Sequence, residues 1–175
     1  VDPDLDMEVL LQDGSNVGHG DTAFFISGSS QSILRAERLV LNAMQRMSAI
    51  ATKTRRYVNL LEGTGTKILD TRKTTPGIRA LEKWAVRIGG GTNHRFALYD
   101  MIMLKDNHID FAGGIREAIS KTREYLASTG RDLKIIVEAR NLVEVDEILA
   151  CQGVHRILLD NFNYADTREA VRRIG

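Results

Sequence analysis

The stretch ILDTRKTTPGIRALEKWAVRIGGGTNHRFALYDMIMLKDNH, residues 68–108, decides the fold. It opens on an apolar run that ends in charge, continues through a helical pattern after Pro76, and closes on a second apolar run that ends in charge. A short apolar strand followed by a helix is the repeating unit of parallel β/α folds. The triplet Gly89 to Gly91 follows a helix and lacks the spacing of a dinucleotide loop, so we interpret it as a helix stop and tight turn.

The same unit recurs towards the end of the chain. The apolar runs that end in charge are KILD, MIMLK, KIIVE and RILLD, at residues 67–70, 101–105, 134–138 and 156–160. Runs this apolar suit strands covered on both faces, and helices between them favour a right-handed parallel arrangement. Because active sites of β/α barrels collect where strands end, we expect all four charged clusters on one rim. Four units do not close a barrel of about eight strands, so we predict either an open sheet or an incomplete chain.

The first thirty or so residues alternate apolar and polar in MEVLLQD and TAFFIS, which predicts short strands and turns. From Gln31 the apolar residues fall at helical spacing, and a long helix should run to about Val58. Its stripe comprises Leu34, Leu41, Met44, Met47 and Ala51. We predict a domain junction within this segment, with residues 1–40 before it and residues 41–175 after it.

Composition excludes several classes of protein. With 24 basic and 23 acidic residues the chain carries a formal charge of +1, so no global field favours nucleic acid or an anionic membrane. The single Cys151 excludes an intramolecular disulfide and a multi-cysteine zinc site, which is consistent with a reducing compartment. No apolar run approaches the ~20 residues that span a bilayer, and the start has no signal-peptide pattern. We therefore expect a cytoplasmic protein.

Basic residues concentrate between Thr71 and Lys105, a segment that contains seven basic and only two acidic residues. Three recur at four-residue intervals on the predicted helix, Arg79, Lys83 and Arg87, and we interpret these as a solvated face. The other bases, together with one histidine, fall at strand ends or after the glycine turn. They are Arg72, Lys73, His94, Arg95 and Lys105.

This second group predicts an anion pocket. Guanidinium grips a carboxylate through two parallel hydrogen bonds, while lysine acts as a compact charge. Clustered cations repel one another in a cleft of low dielectric unless an anion compensates them. A multiply anionic ligand is the better explanation, and a structural network of salt bridges is the alternative.

Two acids, Glu138 and Asp160, end otherwise apolar strands. Either could cap the helix that follows. As a pair on the same rim as the basic cluster, they indicate a site for hydroxyl groups and magnesium. The string DNHID offers further metal ligands, although the preference of magnesium for oxygen counts against His108.

Arg38 lies on the apolar stripe of the long helix, four residues after Leu34 and three before Leu41. Arginine is seldom fully buried without a partner. Its stem could pack while its head reaches solvent, or the guanidinium could serve an interface or a ligand.

The motifs together resemble the quinolinate phosphoribosyltransferase family, in order and in approximate spacing. They extend over about residues 34–163. The matching strings are AERLVLNAMQRMSAIAT, ILDTRKTTPGIRALEKWAV, GGGTNHRFALYDMIMLKDNH, VEARNLVEV and RILLDNF.

The resemblance implies part of an N-terminal α/β sandwich domain over residues 1–40 and the first part of an incompletely closed β/α barrel over residues 41–175. It implies a homodimer, or a higher oligomer, with active sites at the dimer interface. The family's opening helical segment and the segments beyond the Asp160 strand have no counterpart in the string, so we expect a fragment of a longer protein.

The resemblance also implies a function, the decarboxylating transfer of a phosphoribosyl group from phosphoribosyl pyrophosphate to quinolinate with Mg2+. Lys105, Glu138 and Asp160 would be catalytic. Glu138 and Asp160 would bind the ribose hydroxyls and magnesium, and Arg38 would reach the partner subunit's site. The quinolinate carboxylates and nearby phosphate oxygens would be surrounded by Arg72, Lys73, His94, Arg95 and Lys105. Two rivals are an enzyme of the same fold acting on another anionic heterocycle and a noncatalytic anion-binding module.

Overall fold

A computed structural model describes residues 2–175. In chain order the elements are β1 (Asp6–Val9), β2 (Phe24–Ser27), α1 (Ser30–Leu60), α2 (Arg79–Ile88), β3 (Ile102–Leu104), α3 (Asp106–Ala112), α4 (Ile115–Thr129), β4 (Ile135–Ala139), α5 (Leu142–Leu149), β5 (Val154–Leu159) and α6 (Tyr164–Ile174). None of the described helices is both long and apolar enough to cross a membrane.

The chain packs as two compact units, one ending at His94 and the other extending from Arg95 to Gly175. Position 40, where the sequence predicted a domain junction, lies inside the continuous helix α1. Units of compact packing need not coincide with the domains of a protein family. A domain junction at residue 40 therefore stays a prediction.

The first unit begins with an antiparallel pair in which Asp6 of β1 lies opposite Ser27 of β2. This pair confirms the strands predicted from alternation in MEVLLQD and TAFFIS. Helix α1 follows and extends over 31 residues, which confirms the helix predicted from Gln31 to about Val58.

Helix α2 packs against α1 at glycine. A Cβ atom at Gly89 would lie 2.5 Å from the carbonyl oxygen of Ala51 and 2.6 Å from Cβ of Thr54, so only glycine allows the two helices to approach this closely. Helix α2 ends at Ile88, and Gly90 adopts a φ of 89°. The predicted helix stop and tight turn are confirmed.

The KILD run does not form a full strand. Leu69 pairs in parallel with Thr92 as an isolated bridge, supported by a 2.8 Å hydrogen bond from the Thr92 amide to the Ile68 carbonyl. The apolar part of this run is only two residues long, so it supports one bridge and no ladder.

The second unit contains a parallel sheet in the order β3-β4-β5. Leu104 lies opposite Val137, and Val137 lies opposite Ile157. Helices α3 and α4 connect β3 to β4, α5 connects β4 to β5, and α6 follows β5. This arrangement confirms the parallel β/α fold predicted from the apolar runs.

Alternation along these strands separates two faces. In β4, Ile135, Val137 and Ala139 join the apolar core that includes residues of α3 to α6. Successive side chains of a strand point to opposite faces, so Ile136 and Glu138 lie on the face away from that core. Hydrophobic burial on one face therefore fixes which polar residues the other face presents.

Candidate active site

Three of the predicted site residues meet at one edge of the parallel sheet. Lys105 directly follows β3, Glu138 lies near the end of β4, and Asp160 directly follows β5. The backbone amide of Asp160 donates to the carbonyl of Ala139 at 2.9 Å, so Glu138 and Asp160 lie at the ends of neighbouring strands. The edge therefore combines one cation with two carboxylates.

Lys105 and Glu138 form an ion pair, with 3.7 Å between Nζ and Oε2. This distance is too long for a hydrogen bond, so the ammonium keeps its donors for another acceptor. The side chain of Lys105 is 51% exposed and that of Glu138 is 8% exposed. A buried carboxylate thus lies beside a cation that an incoming anion can reach.

The carboxylate of Asp160 is oriented by the next residue, Asn161. Asn161 adopts a φ of 54°, a left-handed conformation that asparagine tolerates better than most residues. Its Nδ2 donates to Oδ2 of Asp160 at 2.9 Å, which orients the carboxylate at the strand end.

The alternative that these acids cap helices is wrong. Asn141 caps α5 by accepting a hydrogen bond from the Glu144 amide, and Asn163 caps α6 by accepting one from the Asp166 amide. Because asparagine fills both cap positions, the carboxylates of Glu138 and Asp160 are left for another purpose.

Arg95 is buried in the second unit. Its Nη1 donates to the carbonyl of Met101 at 3.3 Å, and its Nη2 lies 3.5 Å from Sδ of Met103. These contacts hold the guanidinium beside β3, on the face that Met103 shares with Lys105. A role for Arg95 in binding a carboxylate stays a prediction.

His108 and Asp110, which the sequence offered as possible further metal ligands, have partners within the chain. The amide of Lys105 donates to Nδ1 of His108 at 3.0 Å, and Asp110 pairs with Arg140 at 3.3 Å. Within residues 2–175 no three His, Cys, Asp or Glu side chains form a metal-binding group. Two carboxylates on adjacent strands still fit magnesium, because it is commonly bound through one or two carboxylates, its own waters and substrate phosphates.

In the first unit Asp70 binds the backbone of one predicted site residue, His94, and the side chain of Lys83. Lys83 Nζ lies 2.6 Å from Oδ1 of Asp70, and their side chains are only 4% and 8% exposed. The prediction that Lys83 belongs to a solvated face is therefore wrong. A buried carboxylate needs a counter-ion, and helix α2 supplies it.

Two further donors complete the coordination of this carboxylate. Asn93 Nδ2 donates to Oδ2 at 2.5 Å, and the backbone amide of His94 donates to Oδ1 at 2.8 Å. Lys83 also donates to the carbonyl of His94 at 3.3 Å. We call Asp70, Lys83, Asn93 and the backbone of His94 the Asp70 clamp. Sequence reasoning missed it, although Asp70 ends an apolar run just as Glu138 does.

Arg72 and Lys73 follow the clamp along the chain. Lys73 is exposed. Nε of Arg72 is buried and has no hydrogen-bond partner within the described residues. Leaving a buried donor without an acceptor is costly, so the environment of Arg72 suits an anionic ligand.

Arg38 lies on an exposed part of α1, and between residues 2 and 175 it has no hydrogen bond or ion pair. Leu34 and Leu41 on the same stripe are 69% and 44% exposed. The interpretation that the Arg38 stem packs into the chain's own interior is therefore not supported. The stripe begins to be covered only from Met47 onwards.

These features define a class: an α/β protein whose parallel strands present a cation and two carboxylates at one edge. Comparison with known proteins gives the family. Residues 2–48 match the N-terminal domain and residues 50–175 the C-terminal domain of quinolinate phosphoribosyl transferase. The chain belongs to the quinolinate phosphoribosyl transferase family, as the sequence motifs predicted.

Individual relatives agree with this assignment. The chain is 46% identical over 166 residues to quinolinate phosphoribosyltransferase [decarboxylating] 1b of Nicotiana tabacum, covering 92% of this chain and 47% of that protein. Identity to the chloroplastic nicotinate-nucleotide pyrophosphorylase [carboxylating] of Arabidopsis thaliana is also 46%, with the same coverage of both. Among solved structures, NadC from Streptococcus pyogenes superposes with a TM-score of 0.89 at 40% identity, covering 99% of this chain and 60% of that one. The chain spans about half the length of the curated relatives it matches.

Proposed function

We propose that the complete protein containing this chain transfers the phosphoribosyl group of phosphoribosyl pyrophosphate to quinolinate. The products are nicotinate mononucleotide, pyrophosphate and carbon dioxide, so the activity serves NAD biosynthesis. The observation that carries the proposal is the edge of Lys105, Glu138 and Asp160 in a member of this family. One accessible cation beside two carboxylates matches a substrate that carries both phosphates and ribose hydroxyls.

In the proposed reaction the bond between ribose C1 and pyrophosphate breaks, and positive charge develops on the sugar ring. Glu138 and Asp160 accept hydrogen bonds from the ribose hydroxyls, and their negative charge favours the cationic sugar. Lys105 stabilises the departing pyrophosphate. Its half-exposed ammonium suits this role, because the 3.7 Å contact with Glu138 leaves its hydrogen bonds available.

The pyridine nitrogen of quinolinate then forms the new bond to C1. The ring becomes cationic and accepts the electron pair released as the 2-carboxylate departs as carbon dioxide, and a proton replaces it at C2. Arg72, Lys73, His94 and Arg95 hold the carboxylates in this proposal. Arg72 has a specific supporting observation, the buried Nε that lacks an acceptor within the described chain.

Magnesium is the proposed cofactor, with Glu138 and Asp160 as its protein ligands. When bound, it would neutralise charge on the pyrophosphate leaving group. The support is chemical: both ligands offer the hard oxygen atoms that magnesium prefers, and they sit on adjacent strand ends.

The proposed assembly is a homodimer in which Arg38 acts in the partner subunit's site. Its support is the exposed first half of the α1 stripe, where Leu34 and Leu41 share a helix face with Arg38 by their spacing. Surface of this kind is typical of an interface. The proposed location is the cytoplasm, for which the single Cys151 is compatible evidence.

The experiment is a pyrophosphate-release assay on the full-length protein with both substrates and magnesium. We expect release only when quinolinate is present, together with formation of nicotinate mononucleotide. Intact, folded protein that releases no pyrophosphate in response to quinolinate would refute the proposal. Calorimetry separates an anion-binding module from the enzyme, because the enzyme binds both substrates and a module at most one.

The shared site has its own test. Arg38→Ala and Lys105→Ala proteins should each be nearly inactive alone. After subunit exchange, about half of the dimers are heterodimers with one intact site, so activity should return to about one quarter of wild type. If mass spectrometry confirms exchange and no activity returns, Arg38 does not act across the interface.

A further inference from the structure

The Asp70 clamp joins two segments of the first unit that carry predicted ligand residues. The amide of Asp70 donates to the Thr92 carbonyl at 3.2 Å, and its carboxylate accepts from the His94 amide at 2.8 Å. Arg72 lies two residues beyond Asp70 on one segment. Asp70 therefore joins the segment that carries Arg72 to the segment that carries His94.

The clamp fixes the direction of the His94 side chain through its backbone. Asp70 accepts from the amide of His94, and Lys83 donates to its carbonyl at 3.3 Å. Hydrogen bonds at both peptide groups flanking a Cα atom restrict φ and ψ together, so the Cα–Cβ direction is set. Asp70 and Lys83 thus position the imidazole, although neither needs to contact a ligand.

The charges within the clamp also balance. Lys83 neutralises Asp70 at 2.6 Å, and within residues 2–175 no ion pair joins Asp70 to Arg72 or Lys73. Without Lys83, the carboxylate of Asp70 would attract these cations, because they are the nearest along the chain. The buried lysine therefore leaves the charges of Arg72 and Lys73 for a ligand.

We infer that Asp70 and Lys83 are positioning residues for the proposed quinolinate pocket, acting through His94 and the segment that carries Arg72. This inference rests on the proposed function. It adds two buried residues that bind no substrate and yet determine how well the dicarboxylate is held. A displacement of about 1 Å in such a constellation can reduce catalysis by about a hundredfold.

Helix α2 offers a matched control one residue before Lys83. Glu82 is also buried and pairs with Arg46 at 2.7 Å, and it accepts from the amide of Thr75 at 3.1 Å. It lies outside the clamp. Glu82→Gln therefore removes the charge of a buried carboxylate from the same helix without touching Asp70 or His94.

The experiment measures kcat and both KM values in full-length Asp70→Asn, Lys83→Met, the double variant and Glu82→Gln. We expect Asp70→Asn to raise the KM for quinolinate about tenfold or more and to leave the KM for phosphoribosyl pyrophosphate within about twofold. The double variant has no unpaired charge, so its Tm should recover relative to Lys83→Met while its quinolinate KM stays raised. Glu82→Gln should lower Tm and change neither KM.

Several results would overturn the inference. One is an unchanged quinolinate KM in folded Asp70→Asn. Another is a parallel rise of both KM values that recovers with Tm in the double variant, which would mean a purely structural role. An inactive wild type refutes the proposed function instead. The positioning inference is then tested through the NMR chemical shifts of the His94 amide and imidazole. Asp70→Asn must shift them and Glu82→Gln must not, or the positioning inference also fails.

Discussion

The two compact units differ in the balance of apolar and polar side chains that they bury. In the second unit the interior is apolar, built around the central strand β4 and the helices on one face of the sheet. In the first unit Ala85 is the one apolar residue that is fully buried within the described chain, whereas Thr54, Glu82 and Lys83 are buried polar residues. The strands that carry the candidate ligands of the second unit are thus placed by hydrophobic packing, whereas the Asp70 clamp of the first unit is held by an ion pair and hydrogen bonds.

This difference has consequences for stability and for precision. Hydrophobic burial is non-directional and scales with the area removed from water, so it stabilises a strand without fixing each terminal side chain. A buried carboxylate with three donors has strict geometry, and it is costly to disturb because an uncompensated charge remains. We therefore expect replacement of buried polar residues in the first unit to reduce stability the most.

The largest effect should come from Lys83→Met, which leaves the Asp70 carboxylate buried beside a methionine. Removing one partner of a buried pair costs about 3–5 kcal/mol. The free energy of unfolding of the full-length protein, from urea titration near neutral pH, measures this loss. Arg87→Met is the control, because Arg87 is exposed on the same helix and its replacement should change stability by no more than about 0.5 kcal/mol.

If Lys83→Met loses less than about 1 kcal/mol, the first unit does not depend on its buried charges. The comparison between the units would then be wrong at its strongest point.

A smaller effect should follow from truncation in the apolar core of the second unit. Val145 and Val143 lie on α5, and their relative exposures are 0% and 67%. Val145→Ala deletes two buried methyl groups and leaves a cavity, which should cost about 2–3 kcal/mol. Val143→Ala makes the same chemical change at the surface, so its unfolding midpoint should stay close to wild type. Equal losses from the two variants would contradict the assigned core.

The same contrast explains how much of the site could be predicted from the sequence. Lys105, Glu138 and Asp160 were predicted at one edge because apolar runs with charged ends are visible in the chain and parallel strands align their ends. The partnership of Asp70 with Lys83 could not be predicted, because it joins a loop residue to a helix and their approach depends on tertiary packing. Helical spacing grouped Lys83 with Arg79 and Arg87, and spacing alone does not distinguish a buried lysine from a solvated one.

The function and ligand roles came from the long motifs rather than from composition. The helix-cap alternative for Glu138 illustrates the limit of local patterns. An acid before a helix fits a cap and a ligand site equally well in sequence, and only the position of Asn141 at the start of α5 distinguishes them.

The smallest effects should come from two glutamates that both titrate abnormally. Burial raises the pKa of Glu82, but hydrogen bonds from Arg46 and Thr75 outweigh it and hold that pKa below its ordinary value. Hydrogen bonds from Arg172 and Arg173 lower the pKa of Glu169 to about 2. A folded-state pKa below the unfolded one means that the stabilisation is present above the unfolded pKa, near 4.5, and is lost as pH falls through the folded pKa.

The two glutamates should nevertheless differ in the stability they contribute. Glu82→Gln loses a charge-assisted bond in a buried setting and should cost about 1.5 kcal/mol or more at neutral pH, with the difference from wild type shrinking as pH falls below about 4.5. Glu169 lies at the surface of α6, where solvent and salt screen its pairs, so Glu169→Gln should lower Tm less than Glu82→Gln does. Raising the salt to about 1 M should remove most of the Glu169 effect and little of the Glu82 effect. Urea and thermal unfolding of both variants between pH 7 and pH 3, at low and high salt, measure this. If Glu169→Gln proves the more damaging and resists salt, burial is not what gives the polar contacts of the first unit their strength.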